Sequence, residues 1–205
     1  MAQQAIFEQN VESEIGESIR LLRALRHLNE LLPFKYRQAS LQPQFVDVHR
    51  SILRSYAERG HPLTRTEIEA LLGDGESALN ALVALGSKDL VVLNSAAGKA
   101  PGTHNVVVND PDAVEVVGAY PFSTTPKAYV VNLFGHDVFA MCALDALSIA
   151  PMFQTETRIM SKCHLTGDPI RIHQRGMQIL EVSPPTGVRL GIRWQKGSNT
   201  AAHGL

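Results

Sequence analysis

Cysteine is scarce in this chain: Cys142 and Cys163 are the only two in 205 residues. Two thiols do not make a disulfide framework, and in a reducing compartment each is left with a packing or a reactive role. Long apolar runs are missing too. No stretch approaches the roughly 20 residues needed to span a bilayer, and the opening Met1-Ala-Gln-Gln-Ala-Ile-Phe-Glu8 lacks the apolar core behind positive charge of a secretory signal, so the expectation is a cytoplasmic protein that does not enter membranes. Neither sign of charge is in excess. Nineteen Lys and Arg against 20 Asp and Glu leave a formal net charge of -1, so no overall pull toward nucleic acid or an anionic surface exists. There is no Gly-x-x-x-x-Gly-Lys phosphate loop, no Gly-x-Gly-x-x-Gly after a strand and no Gly-x-Ser-x-Gly elbow, which removes the commonest nucleotide-dependent and serine-hydrolase readings. The eight histidines are scattered without the spacing of a zinc pair.

What is present is an ordinary globular composition, 44% hydrophobic and 19% charged, enough for a buried core in one domain or two small ones. From Phe7 to Leu32, residues Ile15, Ile19, Leu22, Leu25, Leu28 and Leu32 recur at steps of three and four, which predicts an amphipathic helix ending at Pro33. A second helix is predicted from about Val46 to Arg59, stopped by Gly60. Thr64-Arg-Thr-Glu67 reads as a capping box opening a short helix through Leu72. After the Gly73-Asp-Gly75 turn, helical spacing resumes from Glu76 to Leu85, followed by a strand at Leu90-Val-Val-Leu93. Three helices, a tight turn and a strand predict a winged-helix-like region over residues 1–94. Its last helix carries no Arg or Lys, so it is read as structural or as an interaction surface, and nucleic acid is not an expected partner.

Residues 95–205 change character. Ser95 to Gly102 reads as a loop. Asn105–Val108, Ala113–Val117 and Ala128–Val131 are β-prone, and their turn residues Asn109-Asp-Pro-Asp112 and Thr124-Thr-Pro126 predict hairpins. His136 through Ile149 reads as a helix, with Pro151 beyond its end. Strands are predicted again at Thr157–Met160, Ile170–Ile172, Ile179–Val182 and Val188–Trp194, before a polar tail from Gln195 expected to fray. The expected fold class is α+β: an N-terminal helical winged-helix-like region over 1–94, then a small mixed or antiparallel sheet domain over 95–205 with one active-site helix.

Cys142 and Asp145 lie three residues apart on that expected helix, so their side chains share a face. A thiolate is the preferred ligand of a mercury-like ion, and a carboxyl group beside it can give a proton to whatever the metal carries. The carboxylate also raises the thiol's pKa, which favours the thiolate chiefly once a cation is bound. The alternative is a buried core cysteine among Phe139, Ala143, Ala146 and Leu147. Cys163, in Ser161-Lys-Cys-His164, likewise reads as a structural thiol or a metal ligand, and a mixed sulfur and nitrogen site with His136 and His164 is a further alternative. The aromatics of Tyr120-Pro-Phe-Ser123 either line a pocket or pack in the core.

The stretch Val138-Phe-Ala-Met-Cys-Ala-Leu-Asp-Ala-Leu147, followed by Arg158-Ile-Met-Ser-Lys-Cys-His-Leu-Thr-Gly-Asp-Pro169, resembles the active-site segments of the organomercurial (alkylmercury) lyases in order, spacing and residue type. Pro62-Leu-Thr-Arg65 is similar too, so the likeness runs from about residue 45 to about residue 194. The resemblance implies an enzyme without an organic cofactor that cleaves a carbon–mercury bond of a small organometallic by protonolysis. It implies Cys142 as the mercury-binding thiolate, Asp145 as the proton carrier, and Cys163 as the counterpart of a structural cysteine. The second mercury-binding cysteine that the family carries nearer its C-terminus has no counterpart after Cys163, which leaves Cys163 or an external small thiol to supply the second sulfur. Two other readings stand beside this one: a related protein that binds a heavy metal or small ligand without turnover, or runs a different Cys/Asp reaction, and a winged-helix regulator that uses the thiol as a sensor.

Overall fold

The computed structural model describes residues 34–95, 97–99 and 105–190, together with Ile19. The helix expected over Phe7–Leu32, Ile19 excepted, lies outside the described residues, as do the tail from Gln195, residues 191–194 of the last expected strand, and residues 96 and 100–102 of the expected Ser95–Gly102 loop, whose residues Ala97–Lys99 are instead a strand paired with Val106–Val108. The chain divides into two compact units, Met1–Ala39 and Ser40–Leu205. In the first, Ile19 is helical and helix α1 spans Phe34–Ala39.

The second unit begins with three helices whose ends are written in their caps. Helix α2 (Pro43–Arg59) opens on a proline, whose fixed φ suits a first turn, and stops where Gly60 adopts φ 80°. Its buried stripe of Phe45, Val48, Ile52 and Tyr56 recurs at three- and four-residue steps. Helix α3 (Arg65–Leu72) has the expected capping box: Glu67 N donates to Thr64 Oγ1 at 3.3 Å and Thr64 N to Glu67 Oε2 at 2.8 Å. Helix α4 (Gly75–Ser87) is capped by Asp74, which accepts from Ser77 N at 2.7 Å. Near its end Gly86 is required by close approach, since a Cβ there would meet Val106 Cγ2 at 2.9 Å. No described helix is long and apolar enough to cross a membrane.

The strands are β1 (Val91–Leu93), β2 (Ala97–Lys99), β3 (Val106–Val108), β4 (Val116–Ala119), β5 (Phe122–Ser123), β6 (Tyr129–Leu133), β7 (His136–Ala140), β8 (Glu156–Lys162), β9 (Pro169–Arg175) and β10 (Gln178–Ser183). Strands β2 and β3 form a separate antiparallel ribbon. The other eight make one sheet in the order β1-β4-β5-β7-β6-β8-β9-β10, antiparallel at every pairing. The fold is therefore α+β, and the sheet antiparallel.

One face of this sheet is the core. Val131, Leu133, Val138, Ala140 and Ile159 alternate onto it and are buried, under Ala146, Ile149 and Ala150 of helix α5 (Ala143–Phe153). The opposite face shows Arg158, Met160, Arg171 and Arg175 to solvent, the alternation of a sheet covered on one side. Phe122 is fully buried, stacked on Tyr56 of α2 with ring centroids 5.2 Å apart and tilted against Phe153 of α5 at 5.9 Å. The aromatic ring of the Tyr120–Ser123 run that matters most is thus core.

The helix expected from His136 to Ile149 needs correction. Residues 136–140 are strand β7, and helix α5 starts only at Ala143 and continues through Pro151 to Phe153. The cause is the Phe134-Gly135 turn, whose positive φ values of 49° and 91° give the two-residue hairpin geometry that matches strand twist. It pairs β6 with β7 from Leu133↔His136 to Tyr129↔Ala140. Two smaller corrections follow. The strand expected from Ala113 begins at Val116, because Pro111–Ala113 is a 3-10 turn capped by Asp110. Residues 188–190 of the last expected strand are not in a sheet.

Candidate active site

Cys142 is not on a helix face but at its N-cap, with extended backbone (φ -148°, ψ 178°) and its sulfur accepting from Asp145 N at 3.4 Å. Serine, threonine, aspartate or asparagine usually fills this position, capping the free N–H groups of the first turn with a side-chain oxygen. Here a thiol does so. Asp145, in that first turn, is brought to Cys142 by capping rather than by a shared helix face.

The segment leading into the cap is pinned from β4 and from the turn between β4 and β5. Met141 N donates to Pro121 O at 3.0 Å. The Met141 side chain lies against Gly118, where an added Cβ would meet its Cε at 2.6 Å, so glycine in β4 makes the room that the methionine occupies. Further along α5, Ser148 Oγ donates to Asp145 O at 2.7 Å.

A thiol at a helix N-terminus is ordinarily tilted toward its thiolate by the helix dipole. Cys142 goes the other way. Burial, then the charge of Asp145, then the hydrogen bond between the two side chains push its pKa up to about 12. Burial pushes Asp145 up to about 6 against the opposing hydrogen bond from Cys142, and its Oδ2 has no partner among the described residues. At neutral pH the pair therefore holds its proton on sulfur, offered to a carboxylate. An incoming cation that takes the sulfur sends that proton to a carboxyl group already poised to hold it.

Cys163 is built differently. It follows β8 in a turn closed by Cys163 N donating to Asp168 O at 2.8 Å and Gly167 N to Cys163 O at 2.9 Å. The Thr166 hydroxyl, which donates to Asp168 Oδ2 at 2.7 Å, and the N–H groups of Thr166 and Leu165 lie in the same turn, and these polar groups hold the Cys163 pKa below the ordinary thiol value. The half-exposed thiol is thus biased toward thiolate.

Strand register relates the two cysteines. Ala140 of β7 pairs with Tyr129 of β6, and Val130 of β6 pairs with Met160 of β8. The chain therefore leaves β7 for Cys142 and leaves β8 for Cys163 at the same end of the sheet, on strands roughly 10 Å apart with β6 between them. His136 stands at the opposite end of β7, so the mixed site with histidine is not assembled through it. Among the described residues no group of three or more His, Cys, Asp or Glu side chains could hold a metal ion.

Two residues that matter here escaped the sequence. Thr166 conditions Cys163 only through the fold of its turn. Gln174 of β9 donates from Nε2 to Leu147 O of α5 at 2.9 Å, and its one signal was Pro151, four residues beyond Leu147. Beside α5 runs an open apolar groove of about 590 Å³, lined by Leu147, Ile172, Ile179, Val182 and the chain from Pro185 to Leu190; neither Cys142 nor Asp145 lines it.

The model of the alkylmercury lyase family matches residues 122–205, which contain Cys142, Asp145 and Cys163. Among alkylmercury lyases, the one from Bacillus cereus is 38% identical over 64 residues, 31% of this chain and 28% of that protein. The one from Streptomyces lividans is 33% identical over 64 residues, 31% of this chain and 29% of that protein. The match thus spans less than a third of the length of these alkylmercury lyases. Among solved structures, the mercury-bound form of MerB2 is similar in fold, with a TM-score of 0.57 and 22% identity over 74% of this chain and 65% of that one.

Proposed function

We propose that this protein cleaves a carbon–mercury bond by protonolysis, with Cys142 as the metal-binding sulfur and Asp145 as the proton carrier. The observation that carries the reading is the geometry of the cap: a thiol at a helix N-terminus whose sulfur accepts from Asp145 N at 3.4 Å, beside a carboxyl group that burial has raised to about 6. The match of residues 122–205 to the alkylmercury lyase family model supports it.

The steps balance as follows. The Cys142 sulfur forms a bond to mercury of an organomercurial R–Hg–X, X leaves as an anion, and the thiol proton passes to Asp145. A second thiolate adds to the metal. Electron density from two sulfurs makes the bound carbon more basic. The carbon–mercury bond then breaks, carbon keeps the electron pair and takes the proton from Asp145, and the products are R–H and a mercuric dithiolate. Cys163 is a candidate for the second sulfur, being biased toward thiolate and leaving the same end of the sheet; an external small thiol is the other. In this reading helices α2 to α4 and the β2–β3 ribbon, a winged-helix-like arrangement, serve as scaffold, since α4 bears no Lys or Arg for nucleic acid.

The test is incubation with an arylmercurial and excess small thiol, with the arene measured by gas chromatography. Arene release that falls to background in Cys142→Ala is the expected outcome, and no release above that control from the unaltered protein would sink the reading. A Cys163→Ala variant that keeps its rate only in excess thiol would identify Cys163 as the second sulfur when thiol is scarce.

A further inference from the structure

A proline inside a helix removes the N–H that the carbonyl four residues earlier would accept. In α5 that proline is Pro151, and the carbonyl deprived of its helical donor is Leu147. This carbonyl has found another donor. Gln174 Nε2, 27 positions away in the chain, donates to Leu147 O at 2.9 Å and to Gly176 O at 2.7 Å. With two carbonyl oxygens around one nitrogen, only the NH₂ end of the amide can face the helix. Gln174 is 3% exposed, so water does not substitute for it, and losing the amide would leave a buried acceptor unmet.

The bond also ties two elements together. Gln174 sits on β9, paired with Thr157 of β8, and Gly176 lies in the turn to β10. Leu147 is two residues beyond Asp145 on the helix. We propose that Gln174 is a positioning residue for Cys142 and Asp145: its amide takes the place of the N–H that Pro151 lacks and anchors to the sheet the helix whose first turn holds Asp145 against the Cys142 sulfur. The proposal rests on Cys142 and Asp145 being the reactive pair.

If the amide replaces a missing N–H, restoring that N–H makes the amide dispensable. The test is a double-mutant cycle of Gln174→Leu, Pro151→Ala and the two combined. The rates of Cys142 and Cys163 alkylation at one fixed pH are followed by peptide mass spectrometry, alongside the thermal midpoint. Gln174→Leu should speed Cys142 alkylation relative to Cys163 by roughly threefold or more, as the first turn loosens from the cap and opens the half-buried thiol. It should lower the thermal midpoint as well. In the Pro151→Ala background both effects should shrink by roughly half or more.

Equal effects of Gln174→Leu in the two backgrounds overturn the proposal, and so does a Gln174→Leu variant that leaves the alkylation rate of Cys142 relative to Cys163 unmoved. If Gln174→Leu alone does not fold, folding of the combined variant is the expected rescue, and failure of both to fold counts against it. Neither measurement uses a mercurial. A chain without lyase activity would therefore overturn the proposed reaction while leaving this anchoring to stand or fall separately.

Discussion

Cys142 and Cys163 are the same side chain at the same end of one sheet, and their surroundings push them in opposite directions. At Cys142 the helix terminus favours the thiolate, but burial and the Asp145 charge outweigh it and carry the pKa to about 12. At Cys163 there is little burial to oppose the Thr166 hydroxyl and two N–H groups, so modest hydrogen bonds prevail and the pKa falls. The comparison teaches that a thiol at a helix N-terminus is not by that fact activated. What neighbours the sulfur, and how dry the site is, decide the sign.

The largest expected effect tests the carboxyl half of the first site. Asp145→Asn removes the proton carrier and should slow arene release by about 10²- to 10⁴-fold, while the apparent pKa of Cys142 falls toward the ordinary thiol range because the nearby charge is gone. Stability should move the other way. Asp145 has a folded-state pKa of about 6 against an ordinary 3.8, so the folded protein binds this proton more tightly than the unfolded chain does. That contribution is present in full below about 3.8 and is lost as pH rises through 6, a difference of about 3 kcal/mol for a largely buried group. Asp145→Asn should therefore melt above the unaltered protein at pH 8, with the gap closing between pH 6 and pH 4. A variant that melts lower at pH 8 would show the carboxylate to be held by favourable bonds instead of opposed by burial.

A smaller effect contrasts the thiols directly. With iodoacetamide near neutral pH, Cys163 should react at least about thirtyfold faster than Cys142, the greater nucleophilicity of the more basic sulfur offsetting only part of its scarcity as thiolate. Peptide mapping over time measures the ratio, and comparable rates would erase the contrast. The smallest effect is local to Cys163. Thr166→Val removes the hydroxyl from the Cys163 turn while leaving both N–H groups, so alkylation of Cys163 near neutral pH should slow by a factor of about 2 to 10. Cys142 should be untouched by that change.

Much of the fold was readable because its signals are local. Gly60 and the Thr64–Glu67 capping box mark helix ends through bonds within a few residues. Strand β7 was not readable, because residues 136–149 are apolar enough to suit either period and what decides is the Phe134-Gly135 turn, which locks β7 against β6. The pairing of Cys142 with Asp145 survived that error, since a spacing of three serves a helix face and an N-cap alike.

By itself the sequence determined which groups could carry the chemistry: two thiols, a carboxyl group three residues beyond the first, and a motif shared with the alkylmercury lyases. Only the tertiary structure decided their chemical states and how they are held. A pKa is set by desolvation and by partners, and these come from distant segments: the sheet face under α5, the Pro121 carbonyl that holds Met141, and the Gln174 amide that answers Pro151. No local pattern of residues encodes such contacts, because they exist only once the strands have taken their register.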